Sequence, residues 1–349
     1  MERVYWFWRL ALFAGEQLAV AADVFRQNGR TDLLFPLLTH KEAAVRQRTA
    51  VLLGQIGDEW AMPELVVALA GEADTAVRQT IEQALDTLEQ APPPLLTVQL
   101  MGTFRLKRGD VWIGEEAWHR PIVQRLFQFS ALNAGQSVSK DRILEALWPD
   151  SDSDKAWGTF RTVYSRLRKL LEPAMQPKTA NRYITQRGET FQLRAELVRL
   201  DVTEFVAVVT AVLQARQPAE PPHLPAELLT ALENYAPLLP SLPYADWLLE
   251  PRQKLAELYI EGCLYVARAH LARAELTQAI TWGRRTVDVA PWLEEAYQLL
   301  LRAYARQGQR TLALRIYDEA VANLQDELTI SPSSETERLA ERLRRGEPI

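Results

Sequence analysis

One stretch of the chain concentrates the kinds of side chain that bind nucleic acid. No acidic residue occurs between Trp157 and Leu171, while four cations and two hydroxyl side chains share one face of the helix that the periodicity predicts. The exposed face of an ordinary helix mixes charge signs, because like charges four residues apart repel. Arginine can pair with guanine edges in the major groove, and lysine neutralises phosphates. The pattern therefore favours contact with nucleic acid, and the predicted reading face consists of Arg161, Thr162, Ser165, Arg166, Arg168 and Lys169.

The opposite face of this helix is apolar. Phe160, Val163 and Leu167 recur at the spacing of a single stripe, which is typical of a helix packed against a core. Asp152 and Asp154 precede the helix, where negative charge favours its N-terminal dipole. Residues 95–200 contain 17 basic and 11 acidic residues, whereas the whole chain contains 40 and 45. A basic segment in an acidic chain is typical of a domain that binds a polyanion.

The elements that would position this helix are short strands and two further helices. Alternation of apolar residues predicts a small antiparallel sheet from Leu96 to Ile113 and a hairpin from Arg182 to Leu193. Between the sheet and the hairpin the period lengthens to that of helices. The predicted helices lie near Pro121–Leu132, Ser139–Leu147 and Asp154–Leu171.

Helical repeats precede this module. A period of 32 residues aligns Val45 with Val77 and Arg46 with Arg78, and the pattern resembles HEAT-like repeats. Each helix pair of such an array leaves an apolar face that the next pair covers. The aromatic run Tyr5-Trp6-Phe7-Trp8 predicts docking on an upstream domain, a protein partner or the neighbouring helices, and these alternatives stay open.

Helical repeats also follow the module. A period of 34 residues aligns Cys263 with Tyr297 and Ala279 with Ala313, which is typical of tetratricopeptide repeats. A proline-rich loop is expected at Gln217–Pro225. The patterns together predict a mainly α fold with a small β component. Its expected divisions are residues 1–90 (HEAT-like helical repeats), 91–94 (a Pro-rich linker), 95–200 (the module with the reading helix) and 201–349 (a tetratricopeptide-like domain).

Two longer motifs resemble a known family. The runs Val138–Asp150 and Thr162–Leu171 resemble the OmpR-type winged helix-turn-helix of the antibiotic regulatory protein (SARP) family of bacterial activators. The motif Pro243-Tyr244-Ala245-Asp246-Trp247 and the helices after it resemble the bacterial transcriptional activation domain (BTAD) of the same family. The resemblance implies that the third helix of residues 95–200 enters the major groove of double-stranded DNA. It also implies that a hairpin wing follows the adjacent backbone or minor groove and that the bound activator recruits RNA polymerase.

The predicted wing departs from the family pattern. The family tends to have Gly-any-Gly-Tyr-Arg-Leu at this point, whereas this chain has Gly188-Glu189-Thr190-Phe191-Gln192-Leu193. One glycine and one arginine are missing, so contact between the wing and DNA stays open. Arg182 and Arg187 are the cations that could replace the missing arginine, and Phe191 is expected to pack inside.

Other classes of function find little support in the sequence. The four histidines have no metal-ligand spacing, and no phosphate-binding Gly-Lys-Ser/Thr loop occurs. We therefore expect no enzyme, cofactor or metal. The single cysteine and the lack of a cleavable signal favour the reducing cytoplasm. Charged residues interrupt the apolar segment Val4–Phe25, which predicts a buried helix rather than a membrane span.

Two functions stay open at this point. The first is a sequence-specific DNA-binding transcriptional regulator, an activator by its resemblance, that acts alone or as a homodimer. The second is a protein-interaction scaffold whose winged helix no longer binds DNA, which the acidic, repeat-rich remainder of the chain and the altered wing favour. DNA binding with a steep dependence on salt would separate them.

Overall fold

The computed structural model describes residues 18–28, 31–58, 60–90, 92–173, 181–215 and 224–349. This part of the chain is mainly helical with two small sheets, which confirms the predicted fold class. The aromatic run Tyr5-Trp6-Phe7-Trp8 and most of the predicted loop at Gln217–Pro225 lie outside it. Within these ranges no helix is both long and apolar enough to cross a membrane. The chain divides into two compact units, Met1–Val98 with Leu106–Arg199 and Gln99–Arg105 with Leu200–Ile349.

Helix pairs form the first part of the first unit. Its elements are α1 (Leu18–Asn28), a 3-10 helix (Thr31–Thr39), α2 (Ala43–Ile56), α3 (Ala61–Gly71) and α4 (Thr75–Gln90). The repeat is visible in two equivalent arginines. Arg46 Nη1 donates to the carbonyl oxygen of His40 at 2.7 Å, and Arg78 Nη1 donates to that of Glu72 at 3.1 Å. Each arginine thus binds the carbonyl six residues earlier, so the 32-residue period of the sequence is also a period of the structure.

Short strands enclose three helices in the rest of the first unit. In chain order the elements are β1 (Leu96–Gln99), β2 (Arg105–Arg108), β3 (Val111–Ile113), α5 (Pro121–Leu132), β4 (Val138–Ser139), α6 (Lys140–Leu147), α7 (Ser153–Leu171), β5 (Ile184–Arg187), β6 (Thr190–Leu193) and β7 (Val198–Leu200). One sheet has the order β3-β2-β1-β7, and the other has the order β4-β6-β5. In the second sheet both pairings are antiparallel, with Val138 opposite Phe191. The three helices and the β5–β6 hairpin form the predicted winged helix-turn-helix.

Local sequence explains where these helices begin. Pro121 occupies the first turn of α5, where its fixed φ suits a helix and its missing N–H costs nothing. The hydroxyl of Ser139 caps α6 by accepting a hydrogen bond from the Arg142 amide at 3.3 Å. α5 and α6 both pack against α7, and Phe129 and Ile143 line the space beside Phe160 of α7. These contacts fix α7 from the side that faces the core.

The second unit is built from antiparallel helices. Its elements are α8 (Asp201–Gln214), α9 (Ala226–Glu233), α10 (Leu249–Ala272), α11 (Leu276–Val289), α12 (Glu294–Arg306), α13 (Arg310–Leu328) and α14 (Ser334–Arg345). Ala279 and Ala313, which the 34-residue period aligns, are both fully buried where successive helices pack. Residues 99–105 are held here because the Asp201 carboxylate accepts the amides of Leu100 and Met101, both within 3.0 Å. Burial raises the pKa of Asp201 in spite of these hydrogen bonds.

Candidate nucleic-acid interface

The helix that carries the predicted reading face, α7, begins at a side-chain cap. Oδ1 of Asp152 accepts hydrogen bonds from the amides of Asp154 at 3.1 Å and Lys155 at 3.4 Å. The cap satisfies amides that have no partner within the helix, and its charge favours the N-terminal dipole. The helix therefore begins at Ser153, which is earlier than the first cation of the predicted reading face.

The core-facing side of α7 is held by an aromatic cluster. Phe160 is buried and stacks on Trp157 and Tyr164, with ring centres 5.2 Å and 5.6 Å away. The rings of Phe191 and Trp148 meet it edge-on at 5.0 Å and 6.4 Å. Phe191 therefore packs inside, as the sequence indicates. Because rings from the helix, the wing and the end of α6 surround Phe160, they fix the rotation of α7 about its own axis.

The opposite side of α7 presents most of the predicted reading face to solvent. Four of the six predicted residues are exposed: Arg161, Thr162, Ser165 and Lys169. Arg166 and Arg168 are half-buried, and the Arg168 guanidinium lies 5.7 Å from the centre of the Tyr164 ring. The six residues thus lie on one helix, but four of them are more accessible than the other two.

Three exposed residues that the sequence analysis left out extend this face toward the start of α7: Lys155, Gly158 and Thr159. Lys155, Thr159, Thr162 and Arg166 follow one another at spacings of four, three and four residues, which places them on a single row. A Cβ at Gly158 would meet no atom within 4 Å, so the surface there is open. These residues lie within the predicted helix Asp154–Leu171, so the row was already detectable from their spacing in the sequence.

The two predicted wing cations differ in their surroundings. Arg182 is half-buried, and both its amide, at 3.0 Å, and its Nε donate to the carboxylate of Glu172, which is only 4 % exposed. Arg187 is exposed at the end of β5, opposite Thr190. Arg182 therefore fastens the base of the wing to the end of α7, while Arg187 faces solvent near its tip.

The tip of the wing is a two-residue turn, Gly188-Glu189. Gly188 has φ +59°, a left-handed conformation that glycine adopts without strain and that matches the twist of a hairpin. Across the sheet Ser139 pairs with Thr190, and the amide of Lys140 donates to the carbonyl oxygen of Glu189 at 2.8 Å. The wing turn is thus attached to the start of α6.

In the described part of the chain, no group of three or more histidine, cysteine, aspartate or glutamate side chains is arranged to hold a metal ion. The exposed cations and hydroxyls of α7 are instead suited to a polyanionic ligand.

Sequence comparison finds similarity to bacterial regulatory proteins. Residues 200–344 match the bacterial transcriptional activator domain family. The chain is 26% identical over 259 residues to the regulatory protein AfsR of Streptomyces griseus, which covers 72% of this chain and 25% of AfsR. It is also 26% identical over 238 residues to the transcriptional regulatory protein EmbR of Mycobacterium tuberculosis, which covers 66% of this chain and 59% of EmbR. The chain thus spans about a quarter to three fifths of the length of these relatives.

A solved structure has the same fold over most of the chain. EmbR of Mycobacterium tuberculosis, in complex with a low-affinity phosphopeptide, superposes with a TM-score of 0.60 at 21% identity, covering 73% of this chain and 66% of that one. This likeness shows the shared fold, a winged helix followed by a helical domain. The matches to AfsR and EmbR confirm the resemblance to the SARP family that the sequence motifs indicate.

Proposed function

We propose that this chain is a sequence-specific DNA-binding activator that reads the major groove with α7. The observation that carries the proposal is the exposed row of cations and hydroxyls on a helix whose opposite face is locked by Phe160. A fixed rotation matters because direct readout needs each side chain to meet a particular base edge. The close approach of α7 to DNA is further supported by the open surface at Gly158.

The side chains divide by chemistry into those that read bases and those that bind the backbone. Arg161, Thr162 and Ser165 lie in the middle of the exposed face, where hydrogen bonds to base edges would specify sequence. Lys155 and Lys169, near the two ends, suit phosphates. In the wing Arg187 is the better candidate for a phosphate contact, because the Arg182 guanidinium is bound to Glu172.

The second unit supplies the activating contact in this proposal. Its family match and the regulatory relatives support a role in recruiting RNA polymerase to the bound site. A protein that regulates bacterial transcription works where the DNA is, so we place it in the cytoplasm. The HEAT-like repeats remain available for a further protein partner or a second copy of the chain.

DNA fragments selected from a genomic library test the proposal. Arg161→Ala should weaken binding to selected fragments by about 1 to 3 kcal/mol and reduce discrimination against unrelated DNA. Lys169→Ala should weaken binding to both kinds of DNA and lower the salt slope by about 1. Fluorescence anisotropy at about 50 mM and about 200 mM salt measures both effects. Lys254→Ala, which removes a cation from an exposed pair with Glu250 in the second unit, is the matched control.

A charge-reversed double variant separates the proposed DNA-binding function from the competing one. Arg161→Glu with Lys169→Glu should abolish specific binding, and unchanged binding would disprove the proposed interface. The alternative function is a protein-interaction scaffold. It is favoured by two cations near the wing, Lys140 and Arg182, because each is already paired with a carboxylate of the protein. It predicts no binding by the unaltered chain even at low salt.

A further inference from the structure

Lys140, the first residue of α6, lies between the two elements of the proposed DNA interface. Its Nζ is 2.8 Å from Oε1 of Glu189 in the wing turn. The same ammonium lies 5.1 Å from the centre of the Trp157 ring on α7. Because the Lys140 amide also binds the Glu189 carbonyl oxygen, the position of the cation relative to the wing is set by backbone as well as side chain.

The two partners of this ion pair are held unequally. The Lys140 side chain is 20% exposed, whereas that of Glu189 is 68% exposed at the tip of the hairpin. The hydrogen bond that Lys140 donates to Glu189 is the main effect that raises the pKa of Lys140, and the charges of Glu189, Asp141 and Asp154 add to it. The cation is therefore fixed in place, while the carboxylate can turn into solvent without disturbing packed groups.

A DNA backbone beside the wing would offer Lys140 a second anion. An exposed ion pair contributes little to stability, so its replacement costs little. A phosphate contact, in contrast, gains from the release of condensed counterions. The Glu189 carboxylate would meanwhile repel the phosphates that approach the tip of the hairpin.

We propose that Glu189 competes with DNA phosphate for the ammonium of Lys140. In the free protein the carboxylate occupies the cation, and on DNA a backbone phosphate takes its place while Glu189 turns to solvent. The inference rests on the proposed function, because it needs DNA against the wing. The phosphate contact beside the wing is then made by Lys140, a residue of α6. Glu189 lowers the affinity for DNA of unrelated sequence, because it occupies this cation in the free protein.

A double-mutant cycle on the full chain tests this competition. Glu189→Gln should raise affinity for a duplex of unrelated sequence about threefold at low salt, because it frees Lys140. Lys140→Gln should lower that affinity and reduce the salt slope by about 0.9, the value for one phosphate. In the Lys140→Gln background the gain from Glu189→Gln should be clearly smaller, because only the repulsion between the carboxylate and the phosphates is then removed. Glu250→Gln, which removes the same charge from an exposed lysine pair in the second unit, should leave affinity unchanged.

The remaining outcomes overturn the inference. An equal gain from Glu189→Gln with and without Lys140 would mean that the carboxylate only repels DNA. No gain, or an equal gain from Glu250→Gln, would remove the competitor role as well. If the unaltered chain and Glu189→Gln both fail to bind any duplex at low salt, the proposed function fails with the inference. If the Arg161 and Lys169 variants behave as proposed while Glu189→Gln does not, the inference alone fails.

Discussion

Arg108 on β2 donates a hydrogen bond from Nη1 to the carbonyl oxygen of Leu171, the last residue of α7, at 2.9 Å. The residue is only 3 % exposed, and its guanidinium also lies 4.4 Å from the centre of the Trp60 ring. A cation at the C-terminal end of a helix interacts favourably with the helix dipole. The end of the proposed reading helix is thereby attached to the sheet and, through one aromatic ring, to the HEAT-like repeats.

Replacing Arg108 with methionine should destabilise the first unit. The change keeps much of the apolar stem but leaves the Leu171 carbonyl oxygen without this charged donor, which costs about 2 to 3 kcal/mol of unfolding free energy. Urea denaturation followed by circular dichroism measures the loss. Arg105→Met, on the exposed side of the same strand, is the control and should change stability by less than about 0.5 kcal/mol. Equal losses in the two variants would contradict this role of the buried cation.

The contact between Trp60 and Arg108 can be isolated by a double-mutant cycle. Trp60→Leu and Arg108→Met should show a coupling free energy of about 1 kcal/mol, since the ring and the guanidinium interact only when both are present. The same urea measurements supply the four stabilities that the cycle needs. If the two losses of stability simply add, the Trp60 ring and the Arg108 guanidinium are adjacent but do not stabilise each other.

Glu72 should make the stability of the HEAT-like repeats depend on pH. The Arg46 guanidinium binds its carboxylate through two hydrogen bonds of 2.6 and 2.9 Å, and this pairing lowers the pKa of Glu72 to about 2. A carboxyl whose pKa falls on folding stabilises the fold above its ordinary pKa of 4.5 and loses that effect as pH drops toward 2. Glu72→Gln should therefore cost about 1 to 2 kcal/mol at pH 6, after allowance for solvent screening, and almost nothing near pH 2.

Urea unfolding of the unaltered chain and of Glu72→Gln, from pH 6 down to the lowest pH at which the chain folds, measures how their stabilities approach each other. Glu89→Gln on α4, an exposed carboxylate for which the structure gives no such pairing, serves as the control. A difference between the Glu72→Gln and unaltered chains that stays constant with pH would show that the pair does not shift the titration of Glu72.

Gly158→Ala should have opposite effects on stability and on DNA binding. Alanine stabilises an exposed helical position by up to about 1 kcal/mol relative to glycine, and the new methyl group would meet no atom of the protein. In the proposed interface that methyl group would lie against DNA and lower affinity for selected fragments several-fold. Thermal unfolding and fluorescence anisotropy measure the two effects. A more stable variant with unchanged affinity would place this part of α7 outside the interface.

Cys263 should resist alkylation while the chain is folded. It is fully buried in α10, and burial raises the pKa of its thiol to about 12, so almost no thiolate exists at neutral pH. Iodoacetamide at about pH 8 should leave the native chain unmodified and label it once after unfolding in urea. Mass spectrometry counts the adducts, and the absence of other cysteines in the sequence makes the count unambiguous. Rapid labelling of the native chain would mean that α10 opens locally.

Local patterns predicted the elements of this fold better than their connections. α5 begins and ends at the predicted residues, because Pro121 marks its first turn and the helical period stops after Leu132. The burial of Phe191 followed from its alternation with polar neighbours in a strand. The start of α7 was placed only approximately, since it depends on a capping hydrogen bond of Asp152 that periodicity does not show.

The surroundings of the wing cations could not be read from spacing. Arg182 binds Glu172, which lies ten residues earlier in the sequence, and burial of that carboxylate depends on the packing of the whole module. Arg108 and Leu171 lie 63 residues apart in sequence. Such pairs are fixed by tertiary structure, and this is why Arg182 and Arg187 look equivalent in the sequence and differ in the fold.

Residues 99–105 belong to the second unit although the strands on either side of them run largely in the first, and this limits where the chain can be divided. A gene segment that ended at Leu200 would carry Leu100 and Met101 but not Asp201, whose carboxylate binds their amides. A fragment prepared for DNA-binding experiments should therefore extend past Asp201, because one that ends at Leu200 leaves these two amides without their carboxylate acceptor.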